Sequence, residues 1–403
     1  MHPPVESHKK YKLAVKKPSL LTLIVLISYG SIGAALFTPA IPSLMQVFGV
    51  SAYSAQFTVT AFLVGYSIGQ LFYSPLAKRL GRKSALYIGI SISLLGFVLS
   101  ALSAPFESFS LLLCSRLISA LGASVGLSLT FMIISDYFYE SHARQVTAYT
   151  MLSFAVIPGI AIALGGFLVT YLGWVSCFYF LILYGLFALY LVTRLAETSL
   201  DREKDSFRCQ KLFGDYKRDF KSPMLILFST MIGATTALIY IFAATAPVIV
   251  IETMGIRPDT FGLLNLIPAS GYFLGNFIAA QLAPHLAMQR VLKLGIALMG
   301  LGVVLLCIIF YGGWGNALLL FLTVFVVYLG IPLFYSNAAV LATFRSPDKP
   351  NASSIMSFLN IGGAVVGLLV MQLLHTNPLY ALPGVFMGIF LLIVVLFRLS
   401  PKH

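Results

Sequence analysis

Charge is scarce in this chain. Asp, Glu, Lys and Arg supply 10% of its 403 residues, where a soluble domain carries roughly a quarter. That leaves too few ionic groups to clothe a water-facing surface and excludes an ordinary soluble fold. Acids are rarer still, 13 against 26 basic residues. Glu6, Glu107, Asp136, Glu140, Glu252, Asp259 and Asp348 lie in loops or at the ends of apolar runs, and the other six fall between residues 196 and 221. None sits where a mid-membrane carboxylate would have to sit to switch charge between two sides. Four scattered cysteines, Cys114, Cys177, Cys209 and Cys307, offer neither a disulfide framework nor metal-ligand spacing. The six histidines fall in tails or loops. Gly81-Arg82-Lys83-Ser84 lacks the upstream glycine of a phosphate-binding loop and has an Arg between its Gly and Lys. No enzyme chemistry, nucleotide-driven machinery, cofactor or metal is expected.

Apolar sequence is abundant: 59% of the residues are hydrophobic. About 20 apolar residues span a bilayer as a helix. Runs of that kind lie near 19–44, 52–77, 84–103, 109–135, 145–171, 174–195, 223–250, 259–283, 288–311, 315–343, 350–375 and 378–398. Runs this long and continuous do not alternate as barrel strands do. The fold class is therefore an all-α membrane protein of twelve transmembrane helices, its loops so short that consecutive helices pack as antiparallel neighbours. Alternate loops collect 24 of the 26 Lys and Arg residues, leaving only Arg257 opposite and Arg116 inside a run. The positive-inside rule then puts both termini in the cytoplasm, and a bacterial inner membrane is the expected location. The net charge of +13 is this topology signal rather than a nucleic-acid footprint. The first run exceeds the 7–15 apolar residues of a cleavable signal and reads as the first spanning helix. A monomer in the lipid bilayer is expected.

The chain repeats itself. Residues 65–89 lie over 271–295 without a gap, at an offset of 206, with eight identities in 25 positions. Gly65, Tyr66, Gly69 and Gly89 recur as Gly271, Tyr272, Gly275 and Gly295. A repeat at half the length of a membrane chain predicts two parallel six-helix pseudo-repeats around a central site. The halves are residues 1–195 and 222–403, and 196–221, the only long charged segment, is read as the cytoplasmic tether between them.

Some segments carry a family resemblance. Ser74-Pro-Leu-Ala-Lys-Arg-Leu-Gly-Arg-Lys83 resembles the GxLADRxGRK signature of the major facilitator superfamily, whose members use it as a cytoplasmic hinge and charge clamp. Ser74 replaces its first glycine and Lys78 its aspartate. Within the superfamily the chain resembles the bicyclomycin-resistance (Bcr/CflA) type of multidrug exporter, in Thr38-Pro-Ala-Ile-Pro42, Gly69-Gln-Leu-Phe-Tyr73, Ser135-Asp-Tyr-Phe138, Ala246-Pro247 with Phe261-Gly-Leu-Leu264, and Asn351-Ala-Ser-Ser354. The first-helix aspartate of that group is missing from Ala34-Ala35-Leu36-Phe37, and the helix-5 antiporter signature keeps Pro158, Gly165 and Gly166 but has Ala161-Ile162 where a Gly-Pro or Ala-Pro pair is expected. The resemblance implies alternating access, with Lys78, Arg79, Gly81, Arg82, Asp136 and Pro158 in the conformational gate.

Polar residues inside the runs supply the candidate substrate site. Arg116 stands about 10 Å from the outer end of the fourth run at 1.5 Å per residue. Its partners are helix carbonyls, cavity water or an anionic substrate. Asn265, Tyr272 and Asn276 share one face of helix 8; Tyr66 and Gln70 are the repeat mates of Tyr272 and Asn276. Ser28, Ser31, Ala35 and Thr38 line one face of helix 1, Thr236, Tyr240 and Pro247 one face of helix 7, and Tyr335, Asn337 and Asn360 are further candidates. Two functions remain open: export of a small organic solute or drug, and dedicated import or export of a polar anion such as a carboxylate or siderophore by proton symport. A non-transporting receptor or scaffold is a third.

Overall fold

A computed structural model describes residues 18–138, 140–197, 222–343, 349–374 and 376–400. The tether read at 196–221 lies outside the described residues from 198 onward. Among the described residues, ten apolar stretches are long enough to cross a membrane, and Ala52–Leu80 and Glu140–Leu172 complete twelve long helices. These twelve helices are numbered in chain order. In the first half, α1 runs Leu20–Ala35, tightens through a 3-10 turn at Thr38–Ala40 and continues as Ile41–Phe48. Then come α2 (Ala52–Leu80), α3 (Arg82–Leu102), α4 (Phe109–Ala123 and Val125–Tyr137), α5 (Glu140–Leu172) and α6 (Ser176–Thr193). In the second half, α7 is Pro223–Pro247 with a π turn at Val248–Thr253, and α8 is Pro258–Leu264 with Leu266–Leu282. Last are α9 (Met288–Tyr311), α10 (Ala317–Thr343), α11 (Lys349–Leu373) and α12 (Pro378–Leu399).

Local chemistry sets several starts. The Ser51, Ser108 and Ser222 hydroxyls accept from the backbone N–H three residues on, satisfying a donor the helix leaves unpaired. Gly81 divides α2 from α3 at φ 101°, a conformation that disfavours a side chain.

Small residues let the helices approach, as expected where lipid supplies no hydrophobic drive between them. A methyl group on Gly65 or Gly69 would strike the carbonyls of Leu117 and Leu121 on α4; one on Gly271 or Gly275 would strike those of Phe325 and Leu329 on α10. The glycines that repeat in sequence therefore repeat one crossing, α2 on α4 and α8 on α10. Gly122 of α4 lies against Gly89 and Ser93 of α3, and Gly295 and Gly330 pair the same way in α9 and α10.

The two halves meet chiefly along α2 with α11 and α5 with α8. The repeat exchanges these pairs, since α2 corresponds to α8 and α5 to α11. Toward the helix ends away from the basic loops, both seams are stitched. Gln372 Nε2 donates to Thr60 Oγ1 at 2.8 Å, and the Tyr53 hydroxyl donates to the Thr376 carbonyl. The Asp259 N–H donates to Thr170 Oγ1 at 3.0 Å, while its carboxylate accepts from Arg257 at 2.8 Å and from Tyr171 at 3.4 Å.

The α3–α4 crossing has no room for a side chain at Gly122. Gly122→Val is expected to cost about 1–3 kcal/mol through overpacking, read as a lower thermal midpoint and a lower monodisperse yield in detergent. An unchanged midpoint would contradict this crossing.

Candidate substrate cavity

Between the halves lies a cavity of about 530 Å³, within the range that holds drug-sized ligands. Helices α1, α2, α4, α7, α10 and α11 wall it. It extends toward the basic ends of the bundle, reaching Met132 near the end of α4, Ala339 near the end of α10, and Ser353 and Ser354 near the start of α11. At the opposite ends the stitched seams close the bundle.

The walls are aromatic and uncharged. Phe62, Tyr66, Phe131, Tyr240 and Tyr335 contribute rings, and among the described residues no Asp, Glu, Lys, Arg or His lines the space. Gln70 accepts from Ser128 Oγ at 2.8 Å through Oε1, leaving its Nε2 without a hydrogen-bond partner. One turn away on α2 the buried Tyr66 hydroxyl also lacks one. From the other half, Asn360 Nδ2 donates to the Tyr335 hydroxyl at 3.3 Å while its Oδ1 stays unpaired. The cavity thus brings together an amide donor, a hydroxyl and an amide acceptor, drawn from both halves and desolvated before any ligand arrives. An unpaired buried polar atom costs about 1–3 kcal/mol, a cost that a solute with matching groups offsets where these side chains turn toward it.

Of the candidates named from sequence, Tyr66, Gln70, Tyr240, Asn360, Ser31 and Tyr335 line this cavity. Asn276, Tyr272 and Asn265 do not. Asn276 Nδ2 folds back on its own helix to the Tyr272 carbonyl at 2.9 Å, and Tyr272 packs edge-on to Tyr328 with ring centroids 6.3 Å apart. Asn265 is buried at the break in α8. The repeat preserves the crossing but not the polar face. Asn337 bonds to the Leu333 carbonyl within α10, and Ser28 to Tyr184.

Arg116 also stands apart from the cavity. It is fully buried, its Nη1 donating to the Gly33 carbonyl at 2.9 Å and its Nε to the Thr58 carbonyl at 3.3 Å. The guanidinium lies over Phe62 at 4.3 Å and Phe37 at 5.0 Å from the ring centroids. Phe62 lines the cavity, so its ring separates the cation from the space. Two helix carbonyls and two aromatic faces thus hold the guanidinium, while its Nη2 is buried without a hydrogen-bond partner. The Gly33 carbonyl lies on α1 just before the Ala34–Phe37 stretch where the resemblance leads one to expect an aspartate.

At the basic end, Arg82 Nε pairs with Asp136 Oδ2 at 3.0 Å, joining α3 to α4. The Arg82 and Lys83 N–H groups donate to Glu197 Oε1 and Oε2 at 2.9 and 3.1 Å, and Lys83 Nζ to the Thr193 carbonyl at 3.0 Å. Glu197 therefore caps α3 and holds the signature loop to the end of α6. Gly81 leaves room for that carboxylate. Sequence reasoning assigned Glu197 to the tether; the amides left bare after a helix-breaking glycine were the signal that an acid must close them. Lys78 is half-buried, Arg79 is exposed, and Pro158 lies within α5. Ser128, which orients Gln70, was not singled out either; its signal is a hydroxyl one turn beyond Ser124 on a helix already facing Gly69.

The family model for the Major Facilitator Superfamily matches residues 21–243, more than half of the chain. The chain belongs to the Major Facilitator Superfamily. It is 23% identical over 359 residues to the bicyclomycin resistance protein homolog of Haemophilus influenzae, covering 87% of this chain and 88% of that one. To the chloramphenicol resistance protein of Pseudomonas aeruginosa it is 26% identical over 372 residues, 89% of this chain and 86% of that one. The partially occluded, inward-open structure of the xylose transporter XylE from E. coli superposes with a TM-score of 0.74 at 14% identity, covering 98% and 99% of the two chains. That likeness confirms the facilitator fold, and the relatives agree with the bicyclomycin-resistance resemblance.

With Phe62 between Arg116 and the cavity, Arg116→Gln is expected to leave the affinity for a cavity ligand within about threefold of the parent. Equilibrium binding in detergent checks this, and a loss of tenfold or more would place the guanidinium in contact with the ligand.

Proposed function

We propose that this facilitator exports small, uncharged, amphiphilic drugs by alternating access. One observation carries the substrate class: the cavity wall is aromatic, bears no formal charge among the described residues, and includes Tyr66, Gln70 and Asn360, each with one buried neutral hydrogen-bonding atom that lacks a protein partner. An ion entering such a space would shed its hydration without a counter-charge. Chloramphenicol, for which one relative is named, is itself uncharged with hydroxyl and amide groups. A dedicated anion transporter is less well supported, because the one intramembrane cation already has two carbonyl partners behind Phe62.

The orientation follows from the basic loops. With those ends in the cytoplasm, the cavity loads from inside and the α2–α11 and α5–α8 seams close the outside. The two halves, 1–195 and 222–403, rock about the cavity while 196–221 keeps them tethered. Opening outward breaks the Thr60–Gln372 and Thr170–Asp259 contacts. Concentrative export needs a coupled ion, and the carboxylates placed to follow the rocking are Asp136, at the cytoplasmic mouth, and Asp259, in the outer seam.

Gln70→Leu keeps the volume and removes both the Nε2 donor and the Oε1 that accepts from Ser128. Losing one neutral hydrogen bond of about 1 kcal/mol weakens binding of chloramphenicol by roughly five- to tenfold, with efflux from cells reduced in parallel. Unaltered binding and efflux would show that the drug does not use this cavity.

A further inference from the structure

Outside the cavity, the largest group of unpaired buried polar atoms among the described residues lies in the outer part of the α2–α11 seam. Gln56 is fully buried, and neither its Nε2 nor its Oε1 has a hydrogen-bonding partner. Gln372, 2% exposed, donates to Thr60 but leaves its Oε1 unpaired. Gln56 and Thr60 are one turn apart on the α2 face that also carries Tyr53, which reaches Thr376 in the loop just past α11. The contacts on either side of Gln56 thus cross to the outer end of α11 and to the loop that follows it. The same face continues inward through Ser67, bonded to the Phe358 carbonyl of α11 at 3.2 Å, to Gln70 in the cavity wall. A seam meant only to seal would bury apolar side chains or mutually satisfied amides. This one buries two glutamines and satisfies a single atom of their four.

We infer that Gln56, Thr60 and Gln372 form a second binding subsite, an exit station that holds the departing solute by its hydroxyl and amide groups once the outer seam parts. Both amides then face the opened pathway, each offering a donor and an acceptor where an uncharged drug must pass. The unpaired atoms also make the closed seam a weak one, so the station opens at little cost and is filled by what leaves through it. The inference rests on the uncharged-drug reading of the cavity, since the station is built from the same neutral chemistry as Gln70 and Asn360.

The test uses the full chain in spheroplasts, with the exposed Cys114 replaced by serine and Gln56→Cys introduced. A membrane-impermeant maleimide added outside labels position 56 only when the seam is open. Saturating chloramphenicol is expected to slow labelling severalfold, and Gln372→Leu to abolish that protection while the drug still binds the cavity with the parent's affinity. In a cysteine-unmodified chain, Gln56→Leu should lower the maximal efflux rate severalfold with binding from the cytoplasmic side unchanged. A labelling rate that Gln372→Leu raises, with no protection by drug in either background, makes the glutamines a latch and overturns the subsite. Absence of drug binding to the parent protein overturns the cavity reading and the subsite with it, whereas intact binding without protection overturns the subsite only.

Discussion

A polar atom turned inward in a membrane protein has no water to fall back on, and the arrangement of this bundle follows from where such atoms find partners. Backbone groups are satisfied within each helix, so helices are free to approach wherever side chains permit. Glycine supplies that permission at Gly65, Gly69, Gly89 and Gly122 in one half and at Gly271, Gly275, Gly295 and Gly330 in the other. The crossings make each half a rigid unit. Polar side chains then collect where the halves face each other, and α2, the least apolar of the long helices, carries most of them. Some are paired across the seam, as Thr60 is with Gln372. Others belong to residues of the cavity wall and are buried without a partner, as Gln70 Nε2 and Asn360 Oδ1 are. Rigidity within the halves and weak, exchangeable contacts between them are what alternating access requires.

The same constraint explains how Arg116 is tolerated without an acid. A guanidinium has five donors and a flat face. Two helix carbonyls accept from Nη1 and Nε, Phe37 and Phe62 take the faces, and Nη2 stays buried without a hydrogen-bond partner. The charge is held inside the first half instead of being presented to a solute, which leaves the cavity neutral.

Much of the fold was legible in the sequence because its causes are local. Apolar length sets the number of helices, and the recurring glycines of residues 65–89 mark a crossing used twice. The site was legible in part. Tyr66, Gln70, Tyr240 and Asn360 stand out as polar residues in apolar runs, and all four line the cavity. Asn276 and Tyr272 share that signature and do not, because whether an amide faces a cavity or its own helix is decided by the neighbouring helix. Arg116 is a related case: the sequence shows the missing acid, but the carbonyls of Gly33 and Thr58 come together with it only in the folded bundle. Glu197 looked like one charge among many until α3 and α6 brought it under two bare amides.

The central claim is that the cavity selects against charge. It is tested most directly by the binding affinities of one drug scaffold prepared in neutral, cationic and anionic forms of matched size, measured with purified protein at fixed pH and ionic strength. The account predicts that the neutral form binds at least tenfold more tightly than either ion, a gap of about 1.4 kcal/mol. Preference for the anion would contradict it and return Arg116 to the binding site; preference for the cation would require an acid that the cavity wall does not contain among the described residues.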